Sequence, residues 1–182
     1  MDYIEFASTG NAIDFANLDF TSKGGVGMSN STRAVQTRGY GAPSLGRNDV
    51  CFFTMSTQQD ALDFGDLTTV KESTVGMASP TRGIIGPGMS PSFVSEIDFI
   101  TMASKGNSTI FGDMDSTRGL GAAANTVRGL FCGGKGPDQQ NLNLIYLITL
   151  ASAGNATEFG NLISGLSLIH ISEPTRPLYI SY

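Results

Sequence analysis

The sequence predicts an all-β chain made of one four-stranded antiparallel unit written about three and a half times. Three observations predict it. A short phrase recurs as DFANL around Phe15, DFGDL around Phe64, IFGDM around Phe111 and EFGNL around Phe159, at spacings of 49, 47 and 48 residues. Each copy is preceded by a run that is apolar on both faces of a strand. Between them lie turn signals rich in Gly, Asn and Ser, as expected for short strands joined tightly.

The elements follow in order within each copy. Twelve residues before each phenylalanine stand Tyr3, Phe52, Phe99 and Leu147; eleven before stand Ile4, Phe53, Ile100 and Ile148; nine before stand Phe6, Met55, Met102 and Leu150. Adjacent residues point to opposite faces of a strand, so both faces must be covered. This places a first strand over Asp2–Ser8, Val50–Thr57, Ile97–Ser104 and Leu144–Ser152. A turn follows, TGN at Thr9–Asn11, QQD at Gln58–Asp60, KGN at Lys105–Asn107 and AGN at Ala153–Asn155. Glycine and asparagine tolerate the positive φ that tight turns between twisted strands demand.

The phrase itself is the second strand, with Ala or Ser three residues before the phenylalanine and Leu or Met three after it. Phe15, Phe64, Phe111 and Phe159 read as packing anchors in preference to an aromatic ligand box. A third strand of small residues comes next: VGMSN at Val26, VGMAS at Val75 and GAAAN at Gly121. Small side chains fit where neighbouring backbones crowd together. The fourth strand opens with Arg33, Arg82 or Arg128 and ends in glycine. A variable loop, exposed over Lys135–Gln140, returns to the next first strand. The repeated arginine reads as a structural ladder donating to loop carbonyls; a ligand-binding ring is the alternative.

Composition narrows the function. A formal charge of −5 excludes the basic face that nucleic acid requires. No apolar run approaches the roughly 18 residues of a membrane span. The N-terminal MDYIEFAST has neither a basic nor an apolar leader region, so no signal peptide is expected. Cys51 and Cys132 occupy different repeat positions and read as two separate buried thiols. Asp63 with Asp66, and Asp113 with Asp115, have the spacing of oxygen ligands for Ca²⁺. The equivalents of Asp66 are Asn17, Asp113 and Asn161, however, so a repeated turn whose side chains bond backbone amides is the simpler reading. GGVG at Gly24 and GPG at Gly86 precede no helix and lack the GK[ST] of a phosphate loop. No catalytic residue, metal site or cofactor is assigned.

Four short strands per ~48 residues, buried on both faces, describe the blade of a propeller, and the kelch repeat has a period of about 50. Arg128 through Leu162 resembles a kelch repeat: it has the glycine doublet Gly133-Gly134, a variable loop, Tyr146 and Thr149, and Phe159 where kelch repeats carry tryptophan. The first two copies have Thr37-Arg38-Gly39 and Gly86-Pro87-Gly88 at the doublet, and no copy has the tryptophan. The resemblance implies an incomplete β-propeller of kelch-like blades in an open arc. The phrases ITMASKGNSTIFGDM (Ile100–Met114) and TVRGLFCGG (Thr126–Gly134) resemble those of repeat-rich proteins of marine tailed phages. That resemblance implies a non-catalytic structural or binding module on a virion, whose partners would be other proteins or surface glycans. The alternative is a fragment of a cellular kelch-type or galactose-oxidase-like protein with its active residues in further blades.

The final segment, Leu166–Tyr182, breaks the pattern. It resembles a translated sequencing-library adapter, with Leu166–Arg176 and Ile180–Tyr182 matching the constant stretches and Pro177–Tyr179 the variable index. On this reading residues 1–165 are a repeat fragment and 166–182 a non-native tail. The only histidine, His170, falls in that tail, so histidine chemistry is not expected of the repeats.

Overall fold

The computed structural model describes residues 1–167 except 19 and 42–44. The described chain is all-β and contains no helix. Its strands are β1 (Asp2–Tyr3), β2 (Ile13–Asp14), β3 (Gly27–Ser29), β4 (Arg33–Gly41), β5 (Leu45–Thr54), β6 (Leu62–Asp66), β7 (Gly76–Ala78), β8 (Arg82–Ile85), β9 (Gly88–Met89), β10 (Phe93–Val94), β11 (Glu96–Thr101), β12 (Thr109–Asp113), β13 (Gly121–Ala124), β14 (Arg128–Cys132), β15 (Leu144–Thr149) and β16 (Thr157–Asn161).

Three four-stranded antiparallel sheets, β3-β4-β5-β6, β7-β8-β11-β12 and β13-β14-β15-β16, follow one another along the chain, preceded by the β1–β2 pair. The hairpin β9–β10 extends the second sheet's connecting loop. No sheet closes on itself. Within each sheet the chain meanders, each strand pairing with the next of its own sheet, so nearly every backbone bond is local to one repeat.

The sequence expectations for strand ends are corrected. The first strands stop at Tyr3, Thr54, Thr101 and Thr149, because the chain turns immediately afterwards. Phe6, Met55, Met102 and Leu150 therefore ride on the turn and are not strand residues.

The repeated phrase encodes a β-bulge. In the first sheet Val50 faces Gly65 and Cys51 faces Asp63, which leaves Phe64 as the extra residue. Phe111 is skipped between Gly112 and Ile110, and Phe159 between Gly160 and Glu158, at the same register shift. A bulge re-aims its side chain and increases the local twist. Phe64 and Phe111 are thereby turned onto the ring twelve residues earlier, Phe52–Phe64 centroids standing 5.9 Å apart at 76° and Phe99–Phe111 6.1 Å at 80°; Tyr3–Phe15 makes a like contact at 6.0 Å and 80°. Edge-to-face pairs of this kind add roughly 0.5–1.5 kcal/mol beyond burial.

The sheets stack face to face. One core joins Phe52, Phe64 and Leu67 of the first sheet to Ile85, Ile100 and Met102 of the second. Another joins Met77, Ile84 and Phe111 of the second to Phe131, Ile148 and Leu150 of the third. A smaller one joins Ala16 and the half-buried Phe15 to Cys51 and Phe53. The third strands converge, β3 lying beside β7 and β7 beside β13. There Met28 of β3 sits over Gly83 of β8, where an added β-carbon would stand 2.6 Å from its Sδ. Met77 of β7 sits over Gly129 of β14 in the same way, at 2.1 Å. The small residues are thus the holes for a methionine from the preceding sheet.

Anchor burial divides by position in the stack. Phe64 and Phe111 are 2% and 3% exposed, but Phe159 is 59% exposed because no described residue covers its sheet. Phe15, expected to be largely buried, is only half-buried, since the two-stranded β1–β2 pair shields it incompletely. Lys135–Gln140 is exposed only over Pro137–Gln140; Lys135 is half-buried and pairs its backbone with Arg118 and Asn141. Of the expected buried thiols, Cys51 is buried but Cys132 is half-buried, and that burial raises its thiol pKa above 9.0. The tail reading of Leu166–Tyr182, with His170, lies outside the described residues apart from Leu166 and Ser167. Leu166 bonds its backbone to Leu142 and Gly134.

Replacing Phe64 by alanine removes a bulge anchor enclosed by two sheets and is expected to cost about 3–5 kcal/mol in urea unfolding. Phe159→Ala, at the uncovered sheet, is expected to shift the midpoint far less. Equal effects of the two would show that the enclosing sheet is not what holds the anchor.

Candidate functional site

Each third strand passes to the fourth through a turn built the same way: Asn30-Ser31-Thr32-Arg33, Ser79-Pro80-Thr81-Arg82 and Asn125-Thr126-Val127-Arg128. The first side chain of each turn accepts from the amide of the arginine three residues on. Asn30 Oδ1 lies 2.9 Å from Arg33 N, Ser79 Oγ 3.0 Å from Arg82 N, and Asn125 Oδ1 2.7 Å from Arg128 N. Short polar side chains bond nearby backbone in this way wherever a turn is needed. The signal was present in the sequence as Asn or Ser three residues before each arginine, and the sequence reasoning missed it.

Because β3, β7 and β13 lie side by side, the three turns meet at one end of the stack. They enclose a shallow groove of about 330 Å³. Its walls are Asn30, Ser31, Ser79, Pro80, Asn125 and Thr126, and its floor is the small residues Ser29, Ala78 and Ala124. Asn30 Nδ2 donates to Pro80 O at 2.9 Å and ties two turns together. Every lining side chain is neutral. The groove offers hydroxyls, amides and turn backbone, and no acid, base or thiol. Among the described residues no three of His, Cys, Asp and Glu gather where a metal ion would fit.

The arginines do not line this groove. Arg33 Nη1 donates to Met102 O and Arg82 Nη1 to Leu150 O, each at 3.0 Å, across to the next sheet. Each guanidinium also lies over a ring of its own sheet, Arg33 over Phe52 at 4.9 Å and Arg82 over Phe99 at 4.8 Å. Arg128 faces Leu147 and the exposed Phe159 around a hollow of about 360 Å³ on the third sheet.

The Asp and Asn ring is also corrected in detail. At Asn17, Asp66 and Asp113 it is the backbone N–H that donates, to Asp60 Oδ1, Asn107 Oδ1 and Asn155 Oδ1 of the following unit, at 2.9, 3.0 and 3.0 Å. The turn residue of the next repeat supplies the side chain, contrary to the expectation that Asp66 and its equivalents would.

A polar pair sits at each of the two junctions between sheets, fully buried at the first and exposed on its carboxylate side at the second. Lys71 and Asp98, both fully buried, form an ion pair at 2.9 Å. Lys71 Nζ also donates to Glu96 O at 2.6 Å, and Thr68 Oγ1 to Asp98 Oδ1 at 2.5 Å. Loss of water holds the Lys71 pKa below its ordinary 10.5, outweighing the attraction of Asp98. At the next junction the Tyr146 hydroxyl donates to the Asp115 carboxylate. Burial, then that hydrogen bond, raises the Tyr146 pKa far above its ordinary value. Asp115, a Ca²⁺ candidate by spacing, is thus engaged by a tyrosine.

The enclosed Lys71–Asp98 pair is structural. Lys71→Ala leaves a buried carboxylate without its cation and is expected to cost about 3–5 kcal/mol, whereas Lys71→Met with Asp98→Leu should recover most of the loss. Urea unfolding of the single and double variants checks this; a double variant less stable than Lys71→Ala would contradict it.

No protein-family model and no curated protein matches this chain.

Proposed function

We propose that the chain is a non-catalytic binding module whose sheets are successive blades of an incomplete β-propeller, and that its ligand is a neutral surface glycan held at the converging turns. The observation that carries the reading is the neutral groove of hydroxyls and amides at the meeting of the three turns. A sugar presents hydroxyls that both donate and accept, and such a lining answers them without the desolvation cost of a charge.

The side-by-side arrangement of β3, β7 and β13, the uniform sheet-to-sheet docking and the resemblance of Arg128–Leu162 to a kelch repeat all support the propeller reading. The resemblance of the tandem phrases to tail-associated phage proteins supports a place on a virion, with the groove facing a host surface.

The test is a glycan array probed with the wild type and with Ser31→Trp and Thr126→Trp. Both residues are exposed and take no part in the bonds that close their turns. An indole there fills the groove and should weaken binding at least about tenfold, or about 1.4 kcal/mol. Binding that survives both substitutions, or an array without a single neutral glycan bound, would overturn the reading.

A further inference from the structure

The third strands have two ends. The turns that follow them make the neutral groove, and the segments that enter them meet at the opposite end. Lys23, Glu72 and Arg118 each pair their backbone with a residue of their own unit, Tyr40, Met89 and Lys135. The next residues, Gly24, Ser73 and Gly119, are all left-handed, at φ of 67°, 54° and 63°. They also bond in series, Ser73 N donating to Gly24 O and Gly119 N to Ser73 O, each at 2.8 Å. Two of the three positions hold glycine, which takes this conformation without steric cost. Ser73 holds it against the crowding of its own β-carbon.

A hollow of about 140 Å³ lies against the last two of these segments, lined by Ser73, Arg118, Gly119, Lys135 and Ser167. Arg118 is held from two sides. Its guanidinium lies 5.8 Å from the ring centroid of Phe93, on the β9–β10 hairpin, and its Nη2 donates to Gln139 Oε1 at 3.0 Å. Its Nε is buried and meets no acceptor among the described residues. Among those residues neither Arg118 nor Lys135 forms an ion pair, and Lys135 Nζ and Ser73 Oγ make no hydrogen bond. Acids outnumber bases in this chain, 16 to 11, yet no described carboxylate answers these two cations. Gln139 is left-handed too, at φ of 64°, and with Ser73 makes up the non-glycine residues of that kind among those described. Such outliers cost free energy and gather where a ligand is held. Here one lines the hollow and the other holds its arginine.

We infer that this hollow binds a tetrahedral oxyanion, a phosphate or sulfate group, free or carried as a monoester. Arg118 supplies a planar guanidinium, Lys135 a second positive charge and Ser73 a hydroxyl. Three donor groups on three segments of chain suit a group with three terminal oxygens, whereas a carboxylate presents two in one plane. Phe93 and Gln139 fix the guanidinium before the anion arrives, so little side-chain freedom is lost on binding. The anion also relieves the standing cost of the buried Nε, which is withheld from solvent without a partner. The hollow and the neutral groove lie at opposite ends of the third strands, so the loss of one ligand leaves the other's site intact.

Isothermal titration calorimetry of the full chain at fixed ionic strength tests it, with inorganic phosphate, sulfate, glucose 6-phosphate, glucose 6-sulfate and acetate as the probes. The phosphates or sulfates should bind at least about tenfold more tightly than acetate, a difference of about 1.4 kcal/mol. Tighter binding of the inorganic ions identifies the free anion as the source, and tighter binding of the esters a group carried on a larger molecule. Arg118→Gln and Lys135→Gln should each weaken binding at least about tenfold while far-UV circular dichroism stays unchanged. Ser73→Gly should weaken it too, yet leave the urea midpoint the same or higher, because glycine relieves the left-handed backbone as the hydroxyl is lost. A serine with a structural role alone would leave anion binding unmoved. An absence of binding by every phosphate and sulfate up to about 10 mM would overturn the inference. So would acetate binding as tightly as they do, or both charge variants binding like the wild type.

Discussion

The bulge at Phe64 and Phe111 is the constraint on which the rest of the stack depends. A regular strand pair would send the side chain at that position straight out of the sheet. The extra residue instead tilts Phe64 and Phe111 onto Phe52 and Phe99 and brings the following Phe-Gly backbone level with the neighbouring sheet. Only then can Gly106 or Gly154 reach the phenylalanine carbonyl, and only glycine after the phenylalanine leaves room for it. One irregularity of register thus sets the side-chain packing within a sheet and the backbone contact between sheets. The exception fits the rule: the first copy has Ala16 where the others have glycine, and the turn that follows is Gln58-Gln59-Asp60, with no glycine. That junction keeps the Asp60 and Asn17 bonds.

Much of this was legible in the sequence. The spacing of the phenylalanines announces the repeat, the double-sided apolar run announces a strand covered on both faces, and the Val-Gly-Met phrases mark the crowded third strands. What could not be read is whatever depends on a neighbour in space. A glycine inside a strand signals a bulge, but nothing along the chain says that Phe64 is the residue skipped or that a turn some forty residues later lies over Gly65. Asp66 looked like the donor of a side chain, and the pairing proved to run the other way, because the turn asparagine approaches from the next sheet. The groove at the converging turns was hidden for the same reason: three copies of an ordinary capped turn become a site only when β3, β7 and β13 bring them together.

The arginines show how one residue type serves two partners at once. Arg33 and Arg82 lie on a ring of their own sheet and reach a carbonyl of the next. Aromatic packing fixes the long side chain before it crosses the junction, which reduces the conformational freedom lost when the hydrogen bond forms. Arg128 has leucine beneath it in place of an aromatic ring.

A chain of near-identical junctions invites confusion among them, since any first half resembles any second half. The polar pairs distinguish one junction from another. Thr68 and Lys71 face Asp98 between the first two sheets, whereas Asp115 faces Tyr146 between the second and third. Were the first sheet to meet the third, Lys71 would be enclosed opposite a phenol with no carboxylate to answer its charge, a heavily penalised arrangement. The apolar and backbone contacts are the generic adhesive; these pairs are an address, written in charge, that keeps the repeats in their order along the stack.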